Sequence, residues 1–206
     1  MRVFVKQSSA AAETGGPAVT TPADLDEALV REIARGSQLA MRTLFMRHQV
    51  RVYRFIMRIV RDPALAQDVL SETFLDVWRR AGRFAGRATV STWLLSIARH
   101  KALTAVKSRP TEPFDGETEL VIADPALDPE AELREKDRGA ILRRCLGELS
   151  PQHGEIIDLV YYQEKSMREI ADVLRIPVNT VKTRMFYARR RLAAMLAEQG
   201  VEPAPI

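Results

Sequence analysis

Residues 166–192 read SMREIADVLRIPVNTVKTRMFYARRRL, and they contain two short amphipathic segments separated by a proline. Ser166 can cap a first helix, because Glu169 stands three residues later and its carboxylate can reach back to the backbone N–H of the cap. Apolar residues then recur on one helical face, and they are Met167, Ile170, Ala171 and Leu174. The first half of this stretch therefore predicts a short helix with one buried face.

A second helix is predicted after a break at residues 175–178. Pro177 disfavours helical geometry at the residue before it and has no backbone N–H to donate. Asn179 can cap the next helix, whose apolar residues recur at helical spacing and are Val181, Met185, Ala188 and Leu192. Two helices joined by a tight break are typical of a helix-turn-helix.

The opposite face of the second helix is basic. No acidic residue occurs from Val173 to Ala197, and the cations in that range are Arg175, Lys182, Arg184, Arg189, Arg190 and Arg191. Phe186 and Tyr187 lie among these cations, and such rings suit contacts with sugars, phosphates and thymine methyl groups better than contact with water. We interpret this face as DNA-binding, with an ordinary surface helix that carries a solvated run of charge as the alternative.

Charge is distributed unevenly along the 206 residues, although the formal net charge is only +4. Residues 79–109 hold eight cations and no acid, whereas residues 111–137 hold ten acids and two cations. Residues 110–129 also contain four prolines, which is typical of a linker. The sequence therefore predicts two basic modules with an acidic segment between them.

The predicted fold class is all-α, with two small helical domains joined by a flexible acidic linker. Residues 1–22 lack hydrophobic periodicity and are expected to form a disordered tail. The first domain is expected over residues 23–109 and the linker over residues 110–129. The second domain, over residues 130–199, is expected to be a four-helix unit that contains the helix-turn-helix.

Residues 62–80, DPALAQDVLSETFLDVWRR, predict a helix that begins with an aspartate cap and a proline. Asp68, Glu72 and Asp76 are spaced four residues apart, so their carboxylates stack along one face of that helix. A di-metal bundle would need a histidine three residues from such a carboxylate, and the sequence has none there. Two interpretations stay open, a solvated face and a docking surface for a basic partner.

Residues 83–91, RFAGRATVS, predict a basic loop with a glycine hinge. Ser91 or Thr92 can cap the following helix, which carries Trp93 near its start. Cations that follow a nucleic-acid backbone, next to apolar side chains that receive bases, are typical of a single-strand binding site. The alternative for Phe84 and Trp93 is burial in the core.

Sequence patterns of catalysis are absent. The chain has no nucleotide-binding glycine loop, no HExxH and no Gly-x-Ser-x-Gly elbow, and its three histidines are scattered. Its single cysteine, Cys145, excludes an internal disulfide and a cysteine-rich zinc site. We therefore expect no enzyme activity, no catalytic residue, no metal, no cofactor and no small-molecule substrate.

The expected location is the cytoplasm. No apolar run approaches the length of a membrane span, and the N-terminus lacks the charged-then-apolar pattern of a signal peptide. The single cysteine fits a reducing compartment. We expect no direct membrane insertion.

Three segments together resemble the extracytoplasmic-function (ECF) sigma factors, the two-domain initiation subunits of bacterial RNA polymerase. DPALAQDVLSETFLDVW, residues 62–78, resembles the helix by which that family binds core polymerase. RFAGRATVSTWLLSIARHKAL, residues 83–103, resembles its promoter-melting and −10-reading segment. LSPQHGEIIDLVYYQEKSMREIADVLRIPVNTVKTRMFYARRRL, residues 149–192, resembles its −35-reading helix-turn-helix. All three segments in this order make the resemblance specific.

The resemblance implies roles for residues in each segment. Those implied for binding core polymerase are Asp68, Ser71, Glu72 and Asp76. Those implied for the −10 element and melting are Phe84, Gly86, Arg87, Thr89, Val90, Trp93, Arg99, His100 and Thr104. Those implied for the −35 element are Asn179, Thr180, Lys182, Thr183, Arg184, Phe186, Tyr187 and Arg190. The implied partners are core RNA polymerase, promoter DNA and an anti-sigma factor.

Three positions depart from the family pattern. His100 stands where members typically carry Asn, Asn179 replaces a usual Gly, and Gly154 stands where Arg is usual. Two other functions compete with the resemblance. A stand-alone helix-turn-helix transcriptional regulator of the response-regulator output type leaves the basic segment 79–109 unexplained. A helical adaptor that regulates another sigma factor predicts no salt-dependent DNA binding.

Overall fold

The computed structural model describes residues 21–108 and 129–201, with side chains in the second range from residue 139 onward. The predicted linker lies outside these residues apart from Pro129, and so does the predicted tail apart from its last two residues. The described residues form eight α-helices and no strand, so the all-α prediction is confirmed. Within the described ranges no helix is both long and apolar enough to cross a membrane.

Four helices form the N-terminal unit. They are α1 (Pro22–Ala34), α2 (Gln38–Val60), α3 (Pro63–Arg80) and α4 (Val90–Ser108), with a short 3-10 turn at Ala81–Arg83. The side chain of Asp62 accepts the backbone N–H of Leu65 at 3.0 Å and begins α3, as the sequence predicts. The core lies between α2, α3 and α4, and its fully buried side chains include Phe55, Leu44, Ile56, Leu94 and Val77.

The predicted cap of α4 is wrong by two or three residues. Thr89 caps this helix, because its Oγ1 accepts the backbone N–H of Thr92 at 3.3 Å and its carbonyl accepts that of Trp93 at 3.0 Å. Ser91 and Thr92 lie inside the first turn. Three hydroxyl residues within four positions can all serve as caps, and the one that precedes Val90 does so.

Four helices form the C-terminal unit, and they are α5 (Pro129–Glu148), α6 (Pro151–Tyr161), α7 (Met167–Leu174) and α8 (Val178–Glu198). The capping box between Ser166 and Glu169 is confirmed at the start of α7. The apolar stripe of α8 is also confirmed, since Val181, Met185 and Ala188 are buried. Helices α5 and α6 pack against α8.

The predicted cap of α8 is wrong. Pro177 occupies the cap position with φ −59° and ψ 145°, and the helix begins at Val178. Asn179 therefore lies in the first helical turn, where its side chain is exposed. Proline is suited to this place because it has no N–H that would need a partner before the helix starts.

The two units contact each other, which the sequence pattern does not predict. Helix α7 packs against α4, and α6 packs against α2. The helix-turn-helix is thereby placed beside the segment predicted to read the −10 element.

Candidate functional sites

The outer face of α8 carries side chains predicted to contact the −35 element. Lys182, Thr183 and Arg190 are exposed. Phe186 and Tyr187 expose 61% and 52% of their surfaces, and their rings meet edge to face with centroids 5.5 Å apart. This face offers apolar rings and positive charge at the same surface, a combination that suits a DNA groove.

Three other residues predicted for the −35 element are placed differently along α8. Asn179 is exposed, and its carbonyl accepts the hydroxyl of Thr183 at 3.0 Å. Thr180 and Arg184 are only half-buried, so part of each side chain reaches the surface. The exposed face therefore extends into the first turn of the helix.

Arg189 differs from its neighbour Arg190 because it packs inside the C-terminal unit. Its guanidinium lies 5.6 Å from the ring centroid of Tyr161. Its Nε is buried and, among the described residues, has no hydrogen-bond partner. The basic run at residues 189–191 thus contributes one arginine to packing and leaves Arg190 and Arg191 exposed.

A cleft of about 180 Å³ opens beside the basic loop of the N-terminal unit. It is lined by Arg83, Phe84, Ala85, Arg87, Ala88, Thr92, Trp93 and Ser96, and by Asp172 from the C-terminal unit. The rings of Phe84 and Trp93 lie 5.0 Å apart and are partly buried against the core. Each ring therefore supports the core, as the alternative interpretation expects, and each also faces the cleft.

The loop between α3 and α4 owes its shape to Gly86. Its φ of +65° lies in the left-handed region, which side chains disfavour, although a Cβ there would meet nothing within 4 Å. Arg87 and Thr89 are exposed beyond it. Val90 is only 2% exposed, which places its side chain in the core and away from the surface where a −10 contact is predicted.

Along α4, some side chains of the predicted −10 residues are exposed, and one is paired with a carboxylate of the C-terminal unit. His100 and Thr104 are exposed, and the hydroxyl of Thr104 donates to the carbonyl of His100 at 2.9 Å. Arg99 is paired instead, because its guanidinium donates two hydrogen bonds to Glu155 of α6 at 2.6 and 3.2 Å. Bidentate pairing of this kind is among the stronger polar contacts in proteins.

Three of the four residues predicted to bind core polymerase are exposed on α3, namely Asp68, Ser71 and Glu72. Glu72 pairs with Lys101 at 3.1 Å yet keeps 65% of its side chain exposed. Asp76 is only 15% exposed, and it lies 3.2 Å from Arg80 and 3.5 Å from Lys101. Two carboxylates of the predicted stripe thus face solvent, whereas the third binds neighbours. No cluster of potential metal ligands occurs among the described side chains.

Glu169 joins the two units through its two carboxylate oxygens. Oε2 accepts the backbone N–H and the hydroxyl of Ser166 at 3.0 and 2.9 Å, within the C-terminal unit. Oε1 accepts the hydroxyls of Thr89 and Thr92, from the N-terminal unit, at 3.0 and 2.8 Å. The sequence pattern predicts the first role of Glu169 and does not predict the second.

The surroundings of Glu169 keep it charged. Burial alone raises its pKa, but hydrogen bonds from Ser166 and Thr92, together with the charge of Lys165, lower the pKa to about 2. Lys165 Nζ lies 3.3 Å from Oε1 and donates to the hydroxyl of Ser91 at 2.5 Å. Glu169 is therefore a carboxylate throughout the physiological pH range.

Asp158 of α6 forms another contact with the N-terminal unit. It is 3% exposed, lies 3.4 Å from Arg58 of α2, and accepts a hydrogen bond from Gln163 at 3.3 Å. Burial raises the pKa of Asp158, and the charge of Arg58 opposes that change. Gln163 also donates to the backbone carbonyl of Arg51 at 3.3 Å.

One feature of the sequence points to these contacts between the units, and it is the uneven distribution of charge. The range 79–109 contains no acid, so its cations need carboxylates from elsewhere in the chain or from a partner. Glu155 of α6 supplies such a carboxylate to Arg99, whereas Glu169 of α7 binds the hydroxyl of Thr89 and Asp172 lines the basic cleft. Their positions could not be read from the sequence, because Glu169 and Thr89 stand 80 residues apart.

Two family descriptions match the chain. Residues 44–110 match Sigma-70 region 2, and residues 139–192 match Sigma-70, region 4. The first match covers most of α2, α3 and α4, including the acidic stripe of Asp68, Glu72 and Asp76 and the basic loop at residues 83–91. The second covers the helix-turn-helix and the exposed face of α8.

Curated relatives span nearly the same length as this chain. It is 30% identical over 174 residues to the ECF RNA polymerase sigma factor SigK of Mycobacterium sp. (strain KMS), with 82% of this chain and 88% of SigK covered. It is 31% identical over 185 residues to SigK of Mycobacterium tuberculosis (strain ATCC 25177 / H37Ra), with 87% and 96% covered. It is 30% identical over 176 residues to the RNA polymerase sigma-H factor of Pseudomonas aeruginosa, with 81% and 91% covered.

Two solved structures are also similar. CnrH, in complex with the cytosolic domain of CnrY, matches with a TM-score of 0.62 and 26% identity over 85% of this chain and 99% of that chain. The sigma factor RpoE from Bartonella quintana, in complex with the anti-sigma factor NepR, matches with a TM-score of 0.61 over 76% and 96%. At 20% identity, the second match supports the fold alone.

Proposed function

Since this chain belongs to the ECF sigma factors of bacterial RNA polymerase, we propose that its two helical units contact two elements of one promoter. It is an alternative sigma factor that binds core RNA polymerase and promoter DNA and directs transcription initiation. In this proposal residues 23–109 contact core polymerase and the −10 element, and residues 130–199 contact the −35 element.

The exposed face of α8 carries this proposal. The first half of a recognition helix places its side chains on base edges in the major groove, which suits Asn179, Thr180, Lys182, Thr183 and Arg184. The rings of Phe186 and Tyr187 then contact sugars or thymine methyl groups one turn further along. Arg190 follows on the same face and contacts the phosphate backbone.

The basic loop and α4 are proposed to bind the opened −10 strand. An extruded base would enter the cleft beside Phe84 and Trp93, and Arg87 and Thr89 would contact the strand next to it. Unstacking a base costs a few kcal/mol, and a cleft that receives the base offsets that cost without nucleotide hydrolysis. His100 and Thr104 lie further along α4 and are proposed to contact the adjacent bases.

The exposed end of the acidic stripe is proposed to bind core polymerase. Asp68, Ser71 and Glu72 present two carboxylates and a hydroxyl to solvent on α3. A basic surface on the polymerase complements this charge. Asp76 has a structural role in this proposal, because Arg80 and Lys101 already neutralise it.

The remaining expectations are part of the same proposal. The relatives are sigma factors and not enzymes, and we propose that this protein acts by binding alone, in the cytoplasm, without a cofactor. CnrH was solved with the cytosolic domain of CnrY. By similarity, we propose that an anti-sigma factor holds this protein when its promoters are silent.

Transcription in vitro tests the proposal. The protein is added to core RNA polymerase on a library of genomic fragments, and sequencing of transcript 5′ ends defines its promoters. Lys182→Ala is expected to reduce run-off transcription from such a promoter by roughly 5- to 150-fold, if Lys182 contacts a base edge. Arg31→Ala, which removes an exposed cation of α1, is the control and should change little. DNA binding that never requires core polymerase would instead support a stand-alone regulator.

A further inference from the structure

Two tyrosines at the end of α6 each lie against the guanidinium group of an arginine. The ring centroid of Tyr162 is 5.5 Å from the guanidinium carbon of Arg58, and that of Tyr161 is 5.6 Å from the guanidinium carbon of Arg189. Both tyrosines are exposed, at 42% and 55% of their surfaces. Because the two pairs have similar geometry, the surroundings of each arginine decide what it can still bind.

The two arginines differ in whether a carboxylate neutralises them. Arg58 lies 3.4 Å from Asp158, so its charge is balanced within the protein. Among the described residues, Arg189 has no ion pair and no hydrogen-bond acceptor, and its Nε is buried without a partner. A guanidinium has five N–H donors, and an aromatic face attracts its charge without accepting those donors as an oxygen does. Arg189 therefore keeps unused donors and a charge that suit an anion.

Arg189 lies at the edge of the α8 face proposed for the −35 element. It stands three residues after Phe186 and seven after Lys182, and side chains at these spacings follow one another along one side of a helix. Both of those side chains are exposed. Met185, four residues before Arg189, is buried. Arg189 thus lies between the core stripe and the exposed face, and the ring of Tyr161 borders the same edge.

The edge of a recognition helix is where DNA phosphates pass. The major groove is about 12 Å wide, and a helix with its side chains is about 10–12 Å across. A helix that fills the groove therefore brings its central side chains to the bases and its lateral side chains to the two phosphate backbones. Arginine and tyrosine are both among the residues that contact DNA phosphates.

We propose that Arg189 and Tyr161 together bind one phosphate of the DNA backbone beside the −35 element, so that the DNA-binding surface extends from α8 onto the end of α6. This rests on the −35 role proposed above for α8. The guanidinium supplies charge and N–H donors, and the hydroxyl of Tyr161 donates a further hydrogen bond. The tyrosine ring holds the guanidinium in place before DNA arrives. A backbone contact of this kind fixes the position of the helix without selecting a sequence.

The salt dependence of promoter binding tests the role of Arg189. The full-length protein is bound to core polymerase, and the complex is titrated with fluorescent promoter DNA at several salt concentrations. Each phosphate contact contributes about 0.9 to the slope of log K against log salt concentration. Arg189→Met should make this slope shallower by about 0.9 on promoters with different −35 sequences, whereas Arg189→Lys should retain it. Arg144→Met removes an exposed cation of α5 and is the control, with no expected change in slope.

Tyr161→Phe tests the same contact without depending on how Arg189→Met folds, because it keeps the ring and removes only the hydroxyl. We expect promoter affinity to fall by about 3- to 10-fold, with unchanged thermal stability. On DNA shortened to exclude the −35 element, the difference should disappear. The control Tyr162→Phe removes a hydroxyl from the neighbouring ring, whose partner Arg58 is already paired with Asp158, and it should leave promoter affinity unchanged.

The outcomes separate this inference from the proposed function. An unchanged salt slope in Arg189→Met, or an unchanged affinity in Tyr161→Phe, would overturn the shared phosphate contact and leave the pair a packing contact. The −35 role of α8 would still stand if Lys182→Ala weakens promoter binding. If neither Lys182→Ala nor removal of the −35 DNA changes promoter affinity, the −35 role itself is wrong, and this inference fails with it.

Discussion

Replacing Glu169 with Gln measures how much one carboxylate stabilises the helix-turn-helix and its contact with α4. Glutamine keeps the size of the side chain but removes its charge and half of its acceptor capacity. The pKa of Glu169 falls from its ordinary value of 4.5 to about 2, which corresponds to at most about 3 kcal/mol. Because 24% of the side chain is exposed, solvent screening reduces this to about 1–2 kcal/mol.

The sign of the pH dependence follows from the lowered pKa. The stabilisation is fully present above the unfolded-state pKa of 4.5, and it is lost as the pH falls through the folded-state value of about 2. We expect the variant to be less stable by about 1–2 kcal/mol at pH 7, and the difference to fall by about half near pH 3. Urea titrations at both pH values, followed by circular dichroism, measure this difference.

Tryptophan fluorescence adds a second observable to those titrations. Both tryptophans, Trp78 and Trp93, belong to the N-terminal unit, so their fluorescence follows that unit, and Trp93 also follows the cleft that Asp172 of the C-terminal unit lines. Thr92→Val, combined with Glu169→Gln in a double-mutant cycle, separates the contact with α4 from the cap of α7. Glu148→Gln is the control, and because this side chain is exposed, the substitution should change the free energy of unfolding by no more than about 0.5 kcal/mol. The Glu169→Gln variant and the unchanged protein differ in their free energy of unfolding. If that difference is the same at pH 7 and pH 3, Glu169 is not a carboxylate of low pKa.

Three further predictions concern other surfaces of the molecule. Replacing Asp68 and Glu72 with Lys should abolish binding to core polymerase without unfolding the N-terminal unit, since both side chains are exposed and only the pair between Glu72 and Lys101 is lost. Unchanged affinity in a titration with labelled polymerase would make this acidic face of α3 a solvated one. Gly86→Ala places a side chain at a φ of +65°, so we expect the free energy of unfolding to fall by about 1 kcal/mol. Promoter opening, measured by permanganate reactivity, should also become slower, and an unchanged rate would contradict a role for the loop geometry. Met185→Ala truncates a side chain that is 3% exposed, and urea titration should show that the free energy of unfolding of the C-terminal unit falls by about 2–5 kcal/mol. A fall well under about 1 kcal/mol would contradict the place of Met185 in the core.

Local patterns were sufficient to predict most of the helix-turn-helix. The capping box at Ser166, the break before Val178 and the stripe that contains Val181 each depend on residues within one or two helical turns. The same reasoning misplaced two caps where several residues can compete. Thr89 caps α4 although two later hydroxyls have the same chemistry, and the start of α8 follows a proline instead of an asparagine.

The contact between the units could not be predicted by the same means. Hydrophobic periodicity identifies which face of a helix is buried, but it carries no information about polar partners in another unit. Arg99 and Thr89 have the side-chain chemistry of DNA contacts, and in this structure they use it on Glu155 and Glu169. A sequence pattern identifies the chemistry of such a surface, whereas only the structure identifies its occupant.

The two oxygens of Glu169 explain how the units could separate while the helix-turn-helix stays folded. The bonds to Oε2 come from Ser166 and remain within the C-terminal unit, so α7 keeps its cap after separation. Opening breaks the bonds from Thr89 and Thr92 to Oε1 and the ion pair at Arg99. Hydrogen bonds to charged groups contribute about 1.5–3 kcal/mol each when a partner is removed, so the contact between the units depends on these donors whereas the cap of α7 does not.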